Sequence, residues 1–539
     1  MKELSAIFRE HKQILFLVLA FILAEIFVNP IGDFPLNDDW AYAKALLTFR
    51  DKGEFNFGSV PAMTLCSHIL WGFIFIKLFG FSFTVLRFST LISAVIGAIF
   101  LYRLTLRISG NRMLSALLSV VLLFNPLLFS LSNTYMTDVN FNTLLIICCH
   151  LIYSFFQSQK KILLVLIFFA ATALTLLRQY GIVLPVCFFI SCFFIKDRKW
   201  LFVLLSLLVM ALVFVVFKGY ENYLKRILPH DAIYKFSGSY HLSDSKFWNQ
   251  FFTSLGERYA LIILHILFYL FPAAVIFLPA SFRKSSLKSL LIAGIISVFF
   301  CLTVFWKVNF PYVNIFTNMK LGPEVFYESM NGSQHAYSEA FRQIMNVLKF
   351  VFPSMTMFVL LLFTSQFFRS IRWFSPKVVF FISLIAAYIF MILVTESYFD
   401  RYHIPLITLG LIFCAAMYPR LQVNIRWALV PLLLCVYVSI AGTKDYLELN
   451  RRRWEACNYL FNDLHVKSLK VNGGYEVNCW LEQSSWGYYN FQRLEGCDYL
   501  IQFKNEPGFS LFREYEFQRY FPFKKDKINI FVRDQKQHL

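Results

Sequence analysis

Apolar runs of about twenty residues recur along most of the chain, separated by short polar breaks. Each run is long enough to cross the hydrocarbon core of a bilayer as a helix. The pattern predicts spans near 13–30, 89–106, 113–131, 139–156, 161–177, 180–195, 199–217, 257–279, 288–307, 346–367, 377–395, 403–418 and 426–442, thirteen in all. A further apolar run covers 67–85. From about residue 443 the pattern changes. A helical stretch over 445–463 leads into strand-like runs at 468–471, 475–480, 498–503 and 528–532, with Gly473-Gly474 as a turn.

Charge decides how to treat 67–85. With thirteen spans and the N-terminus inside, the inner segments hold nineteen Lys and Arg against three acids, Glu3, Glu10 and Asp197. Counting 67–85 as a span would flip every later loop and move sixteen of those nineteen bases outside. The excess of Lys and Arg on the inner side rejects that arrangement. The run 67–85, with Lys77, Gly72 and Gly80, is therefore expected to lie along the outer face as a juxtamembrane helix.

The expected architecture is an α-helical polytopic membrane protein with a small C-terminal α/β domain. Residues 1–442 would form the transmembrane part, with a first outer loop at 31–88, and 443–539 an extracytoplasmic domain. Composition agrees: of 539 residues, 58% are hydrophobic, 15% are charged and 65 are Phe. No soluble core could hide that much apolar surface, so lipid must solvate most of it. The net charge of +19 resides in short loops between spans, without a basic stripe interleaved with stacking aromatics. It sets orientation and does not mark a nucleic-acid partner. Residues 1–12 are polar and no small-residue cleavage site follows 13–30, which reads as a retained first span. The eleven cysteines show no C-x-x-C spacing.

Reactive groups gather at the outer boundary. Asp38 and Asp39 open a helix expected over 40–51, just after the first span. A carboxylate there is stabilised by the helix dipole, so one of the two can be a plain cap. One cap suffices and adjacent acids repel, which leaves Asp38 the better candidate for chemistry. Asp138 ends the run Asn133-Thr134-Tyr135-Met136-Thr137-Asp138 at the next outer turn. It too could be a cap. At the same level stand Arg178 and Tyr180 of Arg178-Gln179-Tyr180-Gly181, then Arg258, Lys307, and Arg401, Tyr402 and His403. Outer cations run against the orientation bias and want an anion. Lipid headgroups are one partner; a phosphate ester is the other, well matched by the planar donors of Arg. Glu25 lies within the first span near its outer end, where a carboxylate faces a cavity or a cation such as Arg401 or Arg178. His403 is more often an interfacial hydrogen-bonder than a base.

Carboxylates for proton abstraction, cations for a leaving phosphate and an apolar wall for a lipid tail are what sugar transfer from a polyprenyl-phosphate carrier requires. In these motifs the chain resembles the GT-C superfamily of integral-membrane glycosyltransferases, in the branch of protein O-mannosyltransferases and aminoarabinose transferases acting on lipid A. The resemblance rests on Asp38-Asp39-Trp40-Ala41-Tyr42-Ala43, the Tyr-Met-Thr-Asp138 turn, Leu176-Leu177-Arg178-Gln179-Tyr180-Gly181 and Arg401-Tyr402-His403-Ile404-Pro405, in that order along nearly the full length. The first pair is Asp-Asp where Asp-Glu is commoner, and a Lys-Gly turn has become Arg-Gln-Tyr-Gly. The resemblance implies an inverting transfer with Asp38 as general base, helped by Asp39 and Asp138. Arg178, Arg258, Lys307, Arg401 and Tyr402 would hold the donor phosphate, with Glu25, His403 and Tyr180 lining the cavity. It implies a polyprenyl-phosphate sugar donor, a lipid, protein or glycan acceptor, and a bacterial inner membrane with the C-terminal domain periplasmic. Metal dependence varies in that superfamily, and the sequence leaves the cofactor open. Two other classes compete. An O-antigen ligase or polymerase keeps its key bases in a large late loop, whereas the acids here are in the first. A lipid-linked-sugar flippase would show repeated halves, and no repeat is visible.

Overall fold

The computed structural model describes residues 2–58, 61, 63–197, 199–228, 245–305, 310, 315, 339–370, 373–395, 398–418, 424–481, 496–521 and 523–534. Helices cover most of the described residues of the predicted spans, with 113–131 divided between two. The first ten helices are α1 (Lys2–Val28), α2 (Asp39–Lys52), α3 (Cys66–Phe79), α4 (Phe83–Ser109), α5 (Arg112–Leu123), α6 (Pro126–Ser132), α7 (Thr137–Ser158), α8 (Ile162–Leu177), α9 (Val183–Cys192) and α10 (Lys199–Ile227). Later helices cover Ser245–Ala274, Leu287–Phe305, Glu339–Ser370, Pro376–Val394, Ile404–Met417 and Leu429–Asn458. Among the described residues, eight helices are long and apolar enough to cross a membrane, or nine if one bent pair counts as a span. The protein is thus a multi-pass membrane protein. The shorter helices Ile162–Leu177 and Gln179–Cys192 fall below that length.

The expected span at 113–131 is bent and not straight. It consists of α5 and α6, which meet at 64°. Asn125 breaks the helix by accepting the N–H of Leu127 on its side chain, and Pro126 takes the first position of α6, where no N–H is needed.

The first loop returns to the level it left. Helix α3 has 14 residues, about 21 Å of rise, short of the ~30 Å hydrocarbon core. Just before it, the Leu65 N–H bonds the carbonyl of Leu177 at the end of α8, and the Thr64 hydroxyl bonds that of Thr175. Beyond it, the Phe83 N–H bonds Asp33 at 2.8 Å, and Arg87 donates to the carbonyls of Pro30, Gly32 and Phe34. Between these anchors, Asp39 accepts the Tyr135 N–H ahead of α7 at 2.8 Å. Both ends of α3 therefore pack at one end of the helices, which is the placement the charge argument required.

The last long helix continues without a break from Leu429 to Asn458 and carries the C-terminal segment. Strands β1 (Val471–Asn472), β2 (Tyr499–Gln502), β3 (Phe509–Tyr520) and β4 (Phe523–Arg533) form one sheet in the order β1-β2-β4-β3. Only β1 and β2 are parallel; β3 and β4 form a long hairpin with an irregularity at Leu511/Arg513. Asp445 docks this hairpin to the last helix by accepting the N–H groups of Tyr520 and Phe521 at 2.7 and 2.9 Å.

Two strand expectations are corrected. Residues 468–470 form a 3-10 turn, and 475–480 form the short helix Tyr475–Leu481. The alternation Tyr-Glu-Val-Asn-Cys-Trp looks like a strand. However, Asn472 accepts the Gly474 N–H and the Asn478 amide, and Asn478 bonds back to the Gly473 N–H, which winds the chain after the Gly-Gly turn.

Candidate active site

Five breaks in the helix pattern meet at one end of the bundle. They are the segment before α2, the turn into α7, the turn from α8 to α9, the end of Pro376–Val394, and the 3-10 turn Asp400–His403. The last four surround a cleft of about 420 Å³, counting its open mouth, and the segment before α2 stands beside it through Asp38, 3.5 Å from Arg401. Asp138, Arg178, Tyr180, Arg401 and Tyr402 line its polar side. Phe141, Met391, Ile392, Ile404 and Pro405 line an apolar side.

Asp138 lies in the first turn of α7, where free N–H groups and the helix dipole favour a carboxylate. Arg178 Nη2 reaches its Oδ2 at 2.9 Å, with both side chains buried. Arg178 also donates from Nε and Nη2 to the Thr137 hydroxyl at 2.8 and 2.6 Å. The tight turn after Arg178 depends on Gly181, because a Cβ there would meet backbone atoms of Thr175 and Leu174 at 2.6–2.8 Å.

Arg401 is 5% exposed. Its Nη2 lies 3.5 Å from Asp38 Oδ2, and its plane faces the rings of Phe399 and Tyr402. Among the described residues, its Nε and Nη1 have no hydrogen-bond partner. Burial alone would lower its proton affinity, but Asp138 and Asp38 outweigh that and hold the guanidinium above its ordinary value. The result is a fixed cation with unspent donors on the cleft wall.

The acidic pair divides. Asp38 precedes α2 without making a side-chain cap bond, and its side chain is 28% exposed. Its Oδ1 accepts the hydroxyl of Tyr475 at 2.8 Å. Asp39 is fully buried, accepting the N–H groups of Tyr135 and Leu36 at 2.8 and 3.3 Å. Neither carboxylate of the pair lines the cleft itself; Asp38 borders it through Arg401, and Asp39 does not. Burial pushes its carboxyl up to about 8, against the pull of those N–H groups and of Arg87.

Other predicted residues fall away from the cleft. Arg258 donates to the carbonyls of Leu393 and Thr395, so it closes the C-terminal end of Pro376–Val394. Glu25 is not paired with Arg401 or Arg178. Its Oε1 accepts the Asn133 amide at 3.1 Å, and its Oε2 has no partner among the described residues. His403 is buried between the Tyr398 hydroxyl and the Asp400 carbonyl at 2.6 and 2.7 Å, and it stacks on His265. Tyr180 keeps its place on the cleft, bonded to the Thr395 hydroxyl at 3.2 Å. Lys307 lies outside the described residues.

Two contributors escaped the sequence reading. Thr137 carries a usable signal, a hydroxyl next to an acid at a helix start. Tyr475 carries none, since 437 positions separate it from Asp38. Among the described residues, no group of three or more His, Cys, Asp or Glu side chains could hold a metal ion.

Comparison with known proteins gives three findings. No curated protein matches the chain. Two solved structures of ArnT from Cupriavidus metallidurans are similar at 12% identity. The apo state covers 86% of this chain and 84% of that one with a TM-score of 0.40. The state bound to undecaprenyl phosphate covers 87% and 84% with a TM-score of 0.43. Residues 65–220 match the family model described as dolichyl-phosphate-mannose-protein mannosyltransferase. That match supports the GT-C resemblance, and it spans α3, the Asp138 turn and the Arg178 turn, so Asp138, Arg178 and Tyr180 of the polar cleft lie in the stretch similar to this mannosyltransferase family.

Proposed function

We propose that this protein is an integral-membrane glycosyltransferase that moves one sugar from a polyprenyl-phosphate donor to an acceptor hydroxyl or phosphate. The observation that carries this reading is the buried Arg401, with two unspent donors on a half-apolar cleft and a partly exposed carboxylate beside it. A buried guanidinium with unmade hydrogen bonds is costly unless an anion completes it. A phosphate ester on a lipid tail suits this cleft. Its oxygens would take Nε and Nη1 of Arg401, and its tail would lie along Phe141, Met391, Ile392 and Ile404.

Asp38 would act as general base. The acceptor oxygen bonds to the anomeric carbon as the carbon–oxygen bond to phosphate breaks. The hydroxyl proton passes to Asp38, and the bonding pair leaves on the phosphate oxygen, where Arg401 meets the developing charge. Attack opposite the leaving phosphate inverts the anomeric centre. Asp138 would keep Arg178 in place at the same wall. The reaction would face the outer side of a bacterial inner membrane, with the N-terminus cytoplasmic. The acceptor is of the lipid, protein or glycan class.

The test uses the full-length protein in lipid nanodiscs, a panel of polyprenyl-phosphate sugars beginning with mannose, and a bacterial envelope extract of lipids, proteins and glycans as the acceptor pool. Release of polyprenyl phosphate is read by mass spectrometry. We expect release by the wild type and none by Asp38→Asn, which still binds polyprenyl phosphate. No release from any donor, or full release by Asp38→Asn, would overturn the reading.

A further inference from the structure

A carboxylate 3.5 Å from a guanidinium is near a state that would silence it. Charge-assisted pairs close to about 2.7–2.9 Å. Asp38 and Arg401 stop short of that distance. If they closed as a fork, with Oδ2 on Nη2 and Oδ1 turning onto a second donor, Asp38 would lose its role as a base, and Arg401 would spend on a protein carboxylate a donor meant for phosphate. One side chain holds the other oxygen of Asp38 back: Tyr475, whose hydroxyl donates to Oδ1 at 2.8 Å.

Tyr475 is fixed in turn. Its ring packs edge-on to Trp40 in α2. The next residue, Glu476, forms a buried pair with Arg453 of the last long helix at 2.9 Å. Lys44 of α2 donates to the Cys479 carbonyl at 2.7 Å, and Trp480 packs on Phe81 and Phe83. The short helix Tyr475–Leu481 is thus clamped onto the first loop from both sides.

We infer that Tyr475 is a positioning residue that holds Asp38 apart from Arg401, so that the C-terminal segment keeps the base open and the phosphate site vacant for the donor. The inference rests on the reading of Asp38 and Arg401 given above. It makes the C-terminal segment part of the reacting site, and more than a cover over it.

Binding of polyprenyl phosphate alone tests it, with the full chain in nanodiscs and four proteins: wild type, Tyr475→Phe, Asp38→Asn and the double variant. Tyr475→Phe keeps the ring against Trp40 and removes only the hydroxyl. We expect it to bind roughly three- to tenfold more weakly than wild type, because Asp38 then competes for Arg401. In the Asp38→Asn background the same change should cost nothing, since no carboxylate remains to compete. Thermal unfolding of all four variants checks that the fold is kept. Equal affinity of wild type and Tyr475→Phe would overturn the inference, as would the same loss in both backgrounds. Absence of binding by the wild type would instead overturn the donor reading itself.

Discussion

Arg87 and Arg401 are both buried guanidiniums at the same end of the helices, yet their donors are used in opposite ways. Arg87 is fully buried and gives Nη1 and Nη2 to three carbonyls of the first loop, leaving Nε alone without a partner among the described residues, beside Asp33 and Asp39, which take backbone N–H groups. Every strong contact there ends on the main chain. Such a cluster fixes the path of a loop that could not otherwise satisfy its backbone in a low-dielectric setting. Arg401 makes no backbone bond of that kind. Among the described residues its Nε and Nη1 are unmet, and it faces a cleft with the Asp38 carboxylate 3.5 Å from Nη2. The contrast separates charge that builds the fold from charge left over for a ligand.

That contrast can be broken in order of expected effect. Asp38→Asn should lower turnover by roughly 10²–10⁴, the range for loss of a general base, while polyprenyl-phosphate binding persists. Kinetics and binding on the same preparation check this. Arg401→Gln should cost about 10²–10³ in kcat and also weaken binding of polyprenyl phosphate. Arg401→Lys should recover little of it, because an ammonium cannot reproduce the planar fork. Arg87→Met should do the reverse. Stability should fall by about 2–4 kcal/mol as buried carbonyls lose their donors, seen in thermal unfolding, while turnover per folded molecule stays within a few-fold.

The smallest expected effect concerns Asp39. Its buried carboxyl is pushed up to about 8, so the folded state keeps a proton that the unfolded chain, near 3.9, has lost. The stability this group contributes is full below about pH 4 and is lost as pH rises toward 8. Asp39→Asn should flatten that fall in a plot of unfolding midpoint against pH. A slope unchanged by the substitution would show that Asp39 is ionised in the folded protein and belongs with the cleft charges.

The sequence displays the cleft residues for a simple reason: each stands at a turn whose side of the membrane follows from charge bias. Asp138, Arg178 and Arg401 could be aligned in this way before any contact was known. Arg258 looked the same by that criterion. What separates it from Arg401 is a neighbour in space, the carbonyl end of Pro376–Val394, which no local pattern encodes. Tyr475 was hidden for the same reason, and its segment was read as a strand because apolar and polar residues alternate across the short helix. A single span over 113–131 passes over the break between α5 and α6, although Asn-Pro inside an apolar run signals a cap and a new helix. Asp38 and Asp39 could be ranked by repulsion alone, but the burial of Asp39 depends on Tyr135, almost a hundred positions away.

The most direct measurement is a structure of the full-length protein in lipid nanodiscs with polyprenyl phosphate bound. The account predicts a phosphate oxygen about 3 Å from Nε or Nη1 of Arg401, with the lipid tail along Phe141 and Ile392. A phosphate bound elsewhere, with Arg401 closed onto Asp38, would contradict it.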